Sequence, residues 1–168
     1  TIILAAGEGS RMKSKRAKSL QRVGGKTMLE MICKTAGSIS TKITLIVGFD
    51  KDSIINESKN FEFEISTCEQ ASPIGTGDAV KCGINEVDDA DKVLVLYGDV
   101  PLIKKETLEN LVSIDDKSLT ILSTKVDNPF GYGRVIKDND GNVTQIIEEK
   151  DASNADKKIS EIFRGEIT

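Results

Sequence analysis

The sequence of 168 residues predicts an α/β fold in three layers, with a mixed, mostly parallel sheet between helices. Two observations carry this. Before Leu119, short apolar runs alternate with single amphipathic segments, a pattern that implies parallel strands joined by right-handed helical crossovers. After Leu119 the apolar runs follow one another without helices between them, so the second part should be antiparallel or mixed.

The elements follow in order. Ile2 to Leu4 is a first strand, and Met28, Leu29, Met31, Ile32 and Ala36 then recur at helical spacing. Ile43 to Val47 (ITLIV) is a second strand closed by Gly48, and Asp50 is placed to cap a short helix through Ile54 and Ile55. Phe63 to Cys68 alternates as a third strand. After the loop SPIGTG, a helix should carry Ala79, Val80 and Ile84 on its inner face. Lys92 to Leu96 (KVLVL) is nearly continuous in apolar residues and reads as a strand buried on both faces. Leu108, Leu111 and Val112 mark another helix. Leu119 to Val126, Gly133 to Lys137 and Val143 to Ile147 are strands, the last two joined by the hairpin signal Asp138-Asn139-Asp140-Gly141-Asn142. No repeat, linker or low-complexity tract interrupts the chain, so residues 1–168 are expected to form a single domain. The opening Thr1-Ile2-Ile3-Leu4 reads as the second half of a strand, and further residues are expected upstream.

Composition narrows the chemistry. There is no histidine, which excludes an imidazole base or a His-ligated metal within one chain and leaves carboxylates, lysine, arginine, backbone amides and an ion. The net charge of −4 argues against a nucleic-acid partner, for which a broadly basic surface is expected. No apolar run approaches the ~20 residues of a membrane span, and a cytoplasmic location without a membrane partner is the expectation. Cys33, Cys68 and Cys82 are odd in number, widely spaced and set among apolar neighbours, so they read as small buried side chains rather than a disulfide framework or zinc site.

Against this acidic background stands LAAGEGSRMKSKRAKSL, Leu4 to Leu20, with Arg11, Lys13, Lys15, Arg16 and Lys18 close together. Gly7 and Gly9 follow a strand, where absent Cβ atoms let backbone N–H groups converge on an anion, and Arg11 adds a forked donor suited to phosphate oxygens. The loop is neither a Walker loop, lacking G-K-[ST], nor the dinucleotide fingerprint, since position 12 is Met12. Phosphate cradle and solvated basic loop remain equal readings at this point. Asp99 sits in a Gly-Asp turn beyond a buried strand, where it either caps the turn or holds a metal.

Five segments in order are similar to the sugar-1-phosphate nucleotidyltransferases, and among them to bacterial N-acetylglucosamine-1-phosphate uridyltransferases. They are LAAGEGSRM with Lys18 and GGKTML; Glu69-Gln70 before IGTGDAV; YGDVPL at Tyr97 to Leu102; GYGRV at Gly131 to Val135; and IIEEKDA at Ile146 to Ala152. The resemblance implies a Rossmann-like nucleotidyltransferase fold, UTP and a sugar 1-phosphate as partners, and Mg²⁺ as cofactor. It implies that Leu4, Ala5, Ala6 and Gly7 bind the nucleotide, that Arg11 and Lys18 grip its phosphates, and that Gln70, Gly75 and Thr76 read the uracil edge. Asp99 would hold Mg²⁺, and Gly133 and Glu148 would bind the amino-sugar. Read without the resemblance, Gln70 bonds its own loop, Gly133 serves chain shape, and Glu148 is a solvated charge.

The chain departs from the family pattern in several places. Arg16-Ala17-Lys18 stands where Leu-Pro-Lys is common, Pro73 where glutamine is usual, and Asp78 where histidine is common. EIFRG, Glu161 to Gly165, replaces E-[IV]-N-[TS]-G, so Phe163 stands where an asparagine would bond the sugar's acetamido group and Arg164 replaces a small hydroxyl residue. Sugar selectivity is the property these changes touch. The family's closing strands, second metal ligand and β-helix acetyltransferase domain are not within the sequence, so turnover by these residues alone is expected to be impaired. Transfer with another nucleotide or sugar phosphate, and a non-catalytic nucleotide-binding remnant, are the alternatives.

Overall fold

A computed structural model describes residues 1–9, 12–72, 75–87, 92–114 and 119–167, the last four as backbone only. Its contacts divide it into two compact units, Thr1–Asp115 and Asp116–Ile167.

The first unit begins with β1 (Ile2–Leu4), a 3₁₀ turn at Lys18–Leu20, and the short hairpin of β2 (Arg22–Val23) and β3 (Lys26–Thr27). Helix α1 (Met28–Gly37), strand β4 (Ile43–Val47), helix α2 (Lys51–Ser58), strand β5 (Ile65–Glu69), helix α3 (Thr76–Ile84), strand β6 (Val95–Tyr97) and helix α4 (Lys105–Ser113) follow. Alternating strands and helices produce the expected parallel sheet, in the order β5, β4, β1, β6. β1 is central, with Ile2 opposite Thr44 on one side and Val95 on the other. All five residues of β4 are buried, as its unbroken apolar run requires. Helix α1 starts as its sequence Thr27-Met28-Leu29-Glu30 dictates, since Thr27 Oγ1 accepts the N–H of Glu30 at 3.1 Å and closes the first turn. Its buried stripe of Leu29, Ile32, Cys33 and Ala36 joins Ile3, Leu45, Leu96 and Leu108 in one core.

Three local readings are corrected. Ile84 does not face inward but is 51% exposed, and the inner position on α3 belongs to Gly83. A Cβ there would lie 2.9 Å from both Ile2 and Ile46, so α3 lies against the sheet only because that side chain is missing. The fourth strand is shorter than KVLVL and ends on Tyr97.

The third correction concerns the cysteines. Cys33 is buried, and burial pushes its thiol up to about 12, which keeps it protonated and inert. Cys68 and Cys82, however, are joined in a disulfide across 14 positions, with Cα atoms 6.6 Å apart. Neither parity nor spacing reveals this pair, because it is the return from β5 into α3 that brings the two residues together. Closing a loop of this length stabilises by about 3 kcal/mol. Chemical reduction, or Cys68→Ser with Cys82→Ser, should lower the denaturant-unfolding free energy by about that amount; identical midpoints in oxidised and reduced samples would contradict the bond.

The second unit holds β7 (Ile121–Lys125), β8 (Arg134–Lys137), β9 (Val143–Ile147), a 3₁₀ turn at Asp156–Lys158, and β10 (Glu161–Ile167). All pairings are antiparallel: β10 lies between β7 and β8, and β8 pairs with β9. The hairpin signal works as read, since Asp138 Oδ1 accepts the N–H groups of Asp140 and Asn142, and Gly141 takes φ 88°. Arg134 is 1% exposed and donates to Glu149 at 2.6 Å and to the carbonyl of Tyr132. That hydrogen bond is the main cause holding the Glu149 carboxyl below its ordinary range. The α/β class is thus as predicted, with parallel strands in the first unit and antiparallel strands in the second.

Candidate active site

The site in the first unit grows from the carboxyl end of β1. Beyond Leu4 the chain continues as Ala5-Ala6-Gly7, side chains no larger than methyl. The N–H of Ala5 donates to Ile46 at 2.9 Å, that of Gly98 to Leu4 at 2.9 Å, and that of Phe49 to Ala6 at 3.1 Å. The segment is therefore held between the ends of β4 and β6, where α/β sheets bind ligands. Nothing lies within 4 Å of where a Gly7 Cβ would stand, so the backbone there is open to a ligand. Gly9 adopts φ 64°, and a Cβ on it would come within 2.9 Å of Lys18 Cβ. A glycine is required for the loop to pass Lys18.

Lys18 opens the 3₁₀ turn, between the buried residues Ala17, Ser19 and Leu20. Its backbone is thereby fixed while its side chain, 39% exposed, reaches across to form an ion pair with Asp99. Asp99 follows β6 in the turn the sequence placed there, and the pairing joins residues 81 positions apart.

The other wall is the start of α3. Gln70 is 9% exposed; its Nε2 donates to the carbonyl of Gly75 at 3.0 Å and to Asp78 Oδ2 at 2.9 Å. Gln70 therefore does bond its own loop, and Asp78, one of the departures from the family pattern, is its partner. The bonded amide fixes the side chain so that its Oε1 has a defined direction.

Together these residues line a cleft of about 360 Å³. Leu4, Ala5, Ala6, Gly7, Lys18, Gln70, Gly75, Thr76 and Asp99 all border it. Arg11 lies outside the described residues, as does Pro73. Gly9, read from the sequence as part of the loop, borders it too, whereas sequence reasoning missed Ser19, Ala79 and Tyr97, which also line it. Ala79 sits one turn beyond Thr76, and Tyr97 two residues before Asp99, so neighbourhood to predicted residues was the available signal. In the second unit, a Cβ on Gly133 would meet Ile146 at 3.0 Å and Glu148 Oε1 at 3.5 Å, and the Gly133 carbonyl accepts the N–H of Phe163 at 3.0 Å. Gly133, Glu148 and Phe163 are thus gathered at one place on that unit.

Among the described residues no group of three or more His, Cys, Asp or Glu side chains could hold a metal unaided. Asp99 offers a single hard carboxylate. That donor set suits Mg²⁺, which is commonly held by one or two carboxylates together with the phosphates it accompanies. No helix among the described residues is long and apolar enough to cross a membrane.

A parallel sheet with a glycine-bearing loop, a lysine and a carboxylate at its ligand-binding end defines a nucleotide-handling α/β domain. The chain belongs to the family described as the MobA-like NTP transferase domain, which matches residues 1–136. It is 42% identical over 166 residues to the bifunctional protein GlmU of Psychrobacter sp. (strain PRwf-1), and 43% identical over 165 residues to that of Alcanivorax borkumensis. Each match covers 98% of this chain and 36% of the relative, so the chain spans about a third of these proteins. The resemblance carried by the five motifs therefore extends over nearly the whole sequence. The fold is shared with HddC from Yersinia pseudotuberculosis (TM-score 0.71, 24% identity, 99% of this chain and 74% of that one). It is shared also with 4-diphosphocytidyl-2C-methyl-D-erythritolsynthase from Anaerococcus prevotii (TM-score 0.66, 19% identity, 99% and 68%).

Proposed function

We propose that this NTP transferase domain transfers a uridylyl group from UTP to N-acetylglucosamine-1-phosphate, giving UDP-N-acetylglucosamine and pyrophosphate. The observation that carries the reading is the cleft itself, with Lys18 and Asp99 beside an open glycine backbone and Gln70 fixed by Gly75 and Asp78. In this reading an oxygen of the sugar phosphate attacks the α-phosphorus of UTP in line, and pyrophosphate leaves. That oxygen is already ionised at neutral pH, so no general base is needed, in keeping with a chain that has no histidine. Two anions must be brought together, and the protein's work is neutralisation and alignment. Lys18 and Arg11 offset the triphosphate charge. The amides of Ala6 and Gly7 approach the nucleotide, Gln70 Oε1 accepts from a base-edge N–H, and the Gly75-Thr76 turn closes on the base. Asp99 would hold Mg²⁺, which neutralises phosphate oxygens and steadies the charge that develops on them. A cytoplasmic location belongs to the same reading.

Gly133 and Glu148 are proposed as the sugar ligands. Phe163, beside them, supports a second reading in which the sugar phosphate is a different one. A phenyl ring gives no hydrogen bond, and an acetamido group left unpaired there costs about 1 to 3 kcal/mol.

Calorimetric titration of UTP, CTP and GTP, each with and without Mg²⁺, tests the nucleotide assignment. UTP should bind about tenfold more tightly than either competitor, the worth of one good hydrogen bond to a buried amide. Equal affinities would remove Gln70 from base selection, and no binding at all would overturn the function. Pyrophosphate release with several sugar phosphates then decides between the two sugar readings.

A further inference from the structure

The loop that presents Lys18 is held from an unexpected direction. Ala17 is fully buried, and its N–H, immediately before the 3₁₀ turn, donates to Oδ2 of Asp50 at 2.9 Å across 33 positions of sequence. Asp50 stands at the residue that should cap α2, yet its side chain makes no capping hydrogen bond to that helix. Its backbone is left-handed, with φ 56° and ψ 34°, a conformation that costs a non-glycine residue free energy although aspartate bears it better than most. Two local losses, a forgone cap and a disfavoured backbone, coincide with one distant gain.

That gain lies on the way to the cleft. From Ala17 the chain runs directly into Lys18, whose side chain reaches Asp99. A buried N–H at Ala17 must find an acceptor, and Asp50 is the one supplied. The sequence gives a second, independent reason to couple the two positions. Ala17 has φ −51° and ψ 143°, a conformation open to proline, and proline is common at this place in the motif the chain resembles. Proline has no N–H to satisfy. With alanine at 17 the N–H is present, and the carboxylate at 50 answers it.

We propose that Asp50 is a positioning residue for the nucleotide site: it anchors the Ala17 amide and so fixes the backbone from which Lys18 enters the cleft. This deepens the function proposed above and rests on Lys18 as a phosphate ligand. No contact between Asp50 and substrate is implied.

A double-mutant cycle tests it. Asp50→Gly keeps the left-handed backbone without strain and removes only the acceptor. UTP affinity should fall about five- to tenfold in Asp50→Gly, but should not fall further when Asp50→Gly is added to Lys18→Ala. Melting temperature, by contrast, should fall equally in both backgrounds, which separates positioning from general stability. Ala17→Pro added to Asp50→Gly removes the orphaned N–H and should restore UTP affinity to within about twofold of the parent. Asp50→Asn, which retains a side-chain oxygen, should stay close to the parent.

The anchor has its own readout without nucleotide. Hydrogen exchange of the Ala17 amide should rise at least about tenfold in Asp50→Gly, because the bond that protects it is gone. An unchanged exchange rate, or an equal loss of UTP affinity in the presence and absence of Lys18, overturns the proposal. Failure of the parent to bind UTP would overturn the proposed function instead, and the Ala17 exchange rate would then decide whether Asp50 holds the loop.

Discussion

An Asp99→Asn protein should bind UTP equally well with and without Mg²⁺, and its turnover should fall at least ~100-fold, the cost associated with misplacing a reacting group by about 1 Å. The expectation has two parts of opposite sign. Asparagine keeps the shape of the side chain but removes the negative charge that a hard cation needs, so added Mg²⁺ no longer strengthens binding. The same change dissolves the ion pair with Lys18, which the triphosphate must otherwise compete for. Metal-free UTP affinity should therefore be unchanged or higher than in the parent. Calorimetry in chelator and in Mg²⁺, with pyrophosphate release as the rate assay, separates the two effects. A folded Asp99→Asn protein with parental turnover would take Asp99 out of the metal site, and a loss of metal-free affinity would mean that Asp99 contacts the nucleotide in some other way.

Lys18→Ala should weaken UTP at least tenfold, and Arg11→Ala similarly, since a charge-assisted contact to phosphate is worth about 1.5 to 3 kcal/mol. For Lys18 the fold supplies the reason the loss cannot be repaired locally. Ala17, Ser19 and Leu20 are all buried around it, so no other basic residue of the loop can take its place without unpacking the turn. Lys13 and Lys15, out on the loop, cannot substitute. Turnover should fall further than binding, because a cation on a leaving pyrophosphate matters most as charge develops there. Parental affinity in both variants would remove the loop from the site and leave the solvated basic loop as the correct reading.

Much of this was legible beforehand, for physical reasons that also explain the gaps. β1, β4 and β9 have the bounds their apolar patterns indicate, because strands covered by neighbours on both sides or closed by a strong turn leave a local signature. β10 left none. Glu161 to Ile167 mixes charged residues and a glycine among its apolar ones, and its strand character comes from pairing, with β7 and β8 among its partners. The hairpin of β2 and β3 was hidden by its brevity, although Gly24 and Gly25, at φ 60° and 87°, were its signal. Each residue type of the cleft could be chosen from its own motif, but the meeting of Lys18 with Asp99, and beside it of Ala17 with Asp50, could not. Those pairs are made by crossovers, and a crossover has no local record in the sequence. The disulfide between Cys68 and Cys82 was missed because the direct return from β5 into α3, and not the spacing of the cysteines, brings the two residues together.

The central place of β1 bears on how the chain comes to fold. Its three residues are among the first in the sequence, yet they are flanked by β4 on one side and β6 on the other. The sheet of the first unit cannot be completed until Val95–Tyr97 is available, and parallel pairing over such separations makes for refolding on the order of milliseconds to seconds rather than microseconds. The Cys68–Cys82 loop can close long before that, since its ends are near in sequence. During synthesis β1 would pass an interval with one backbone edge paired to β4 and the other open. That edge, along Ile2, Ile3 and Leu4, is where a second nascent chain could pair before β6 arrives.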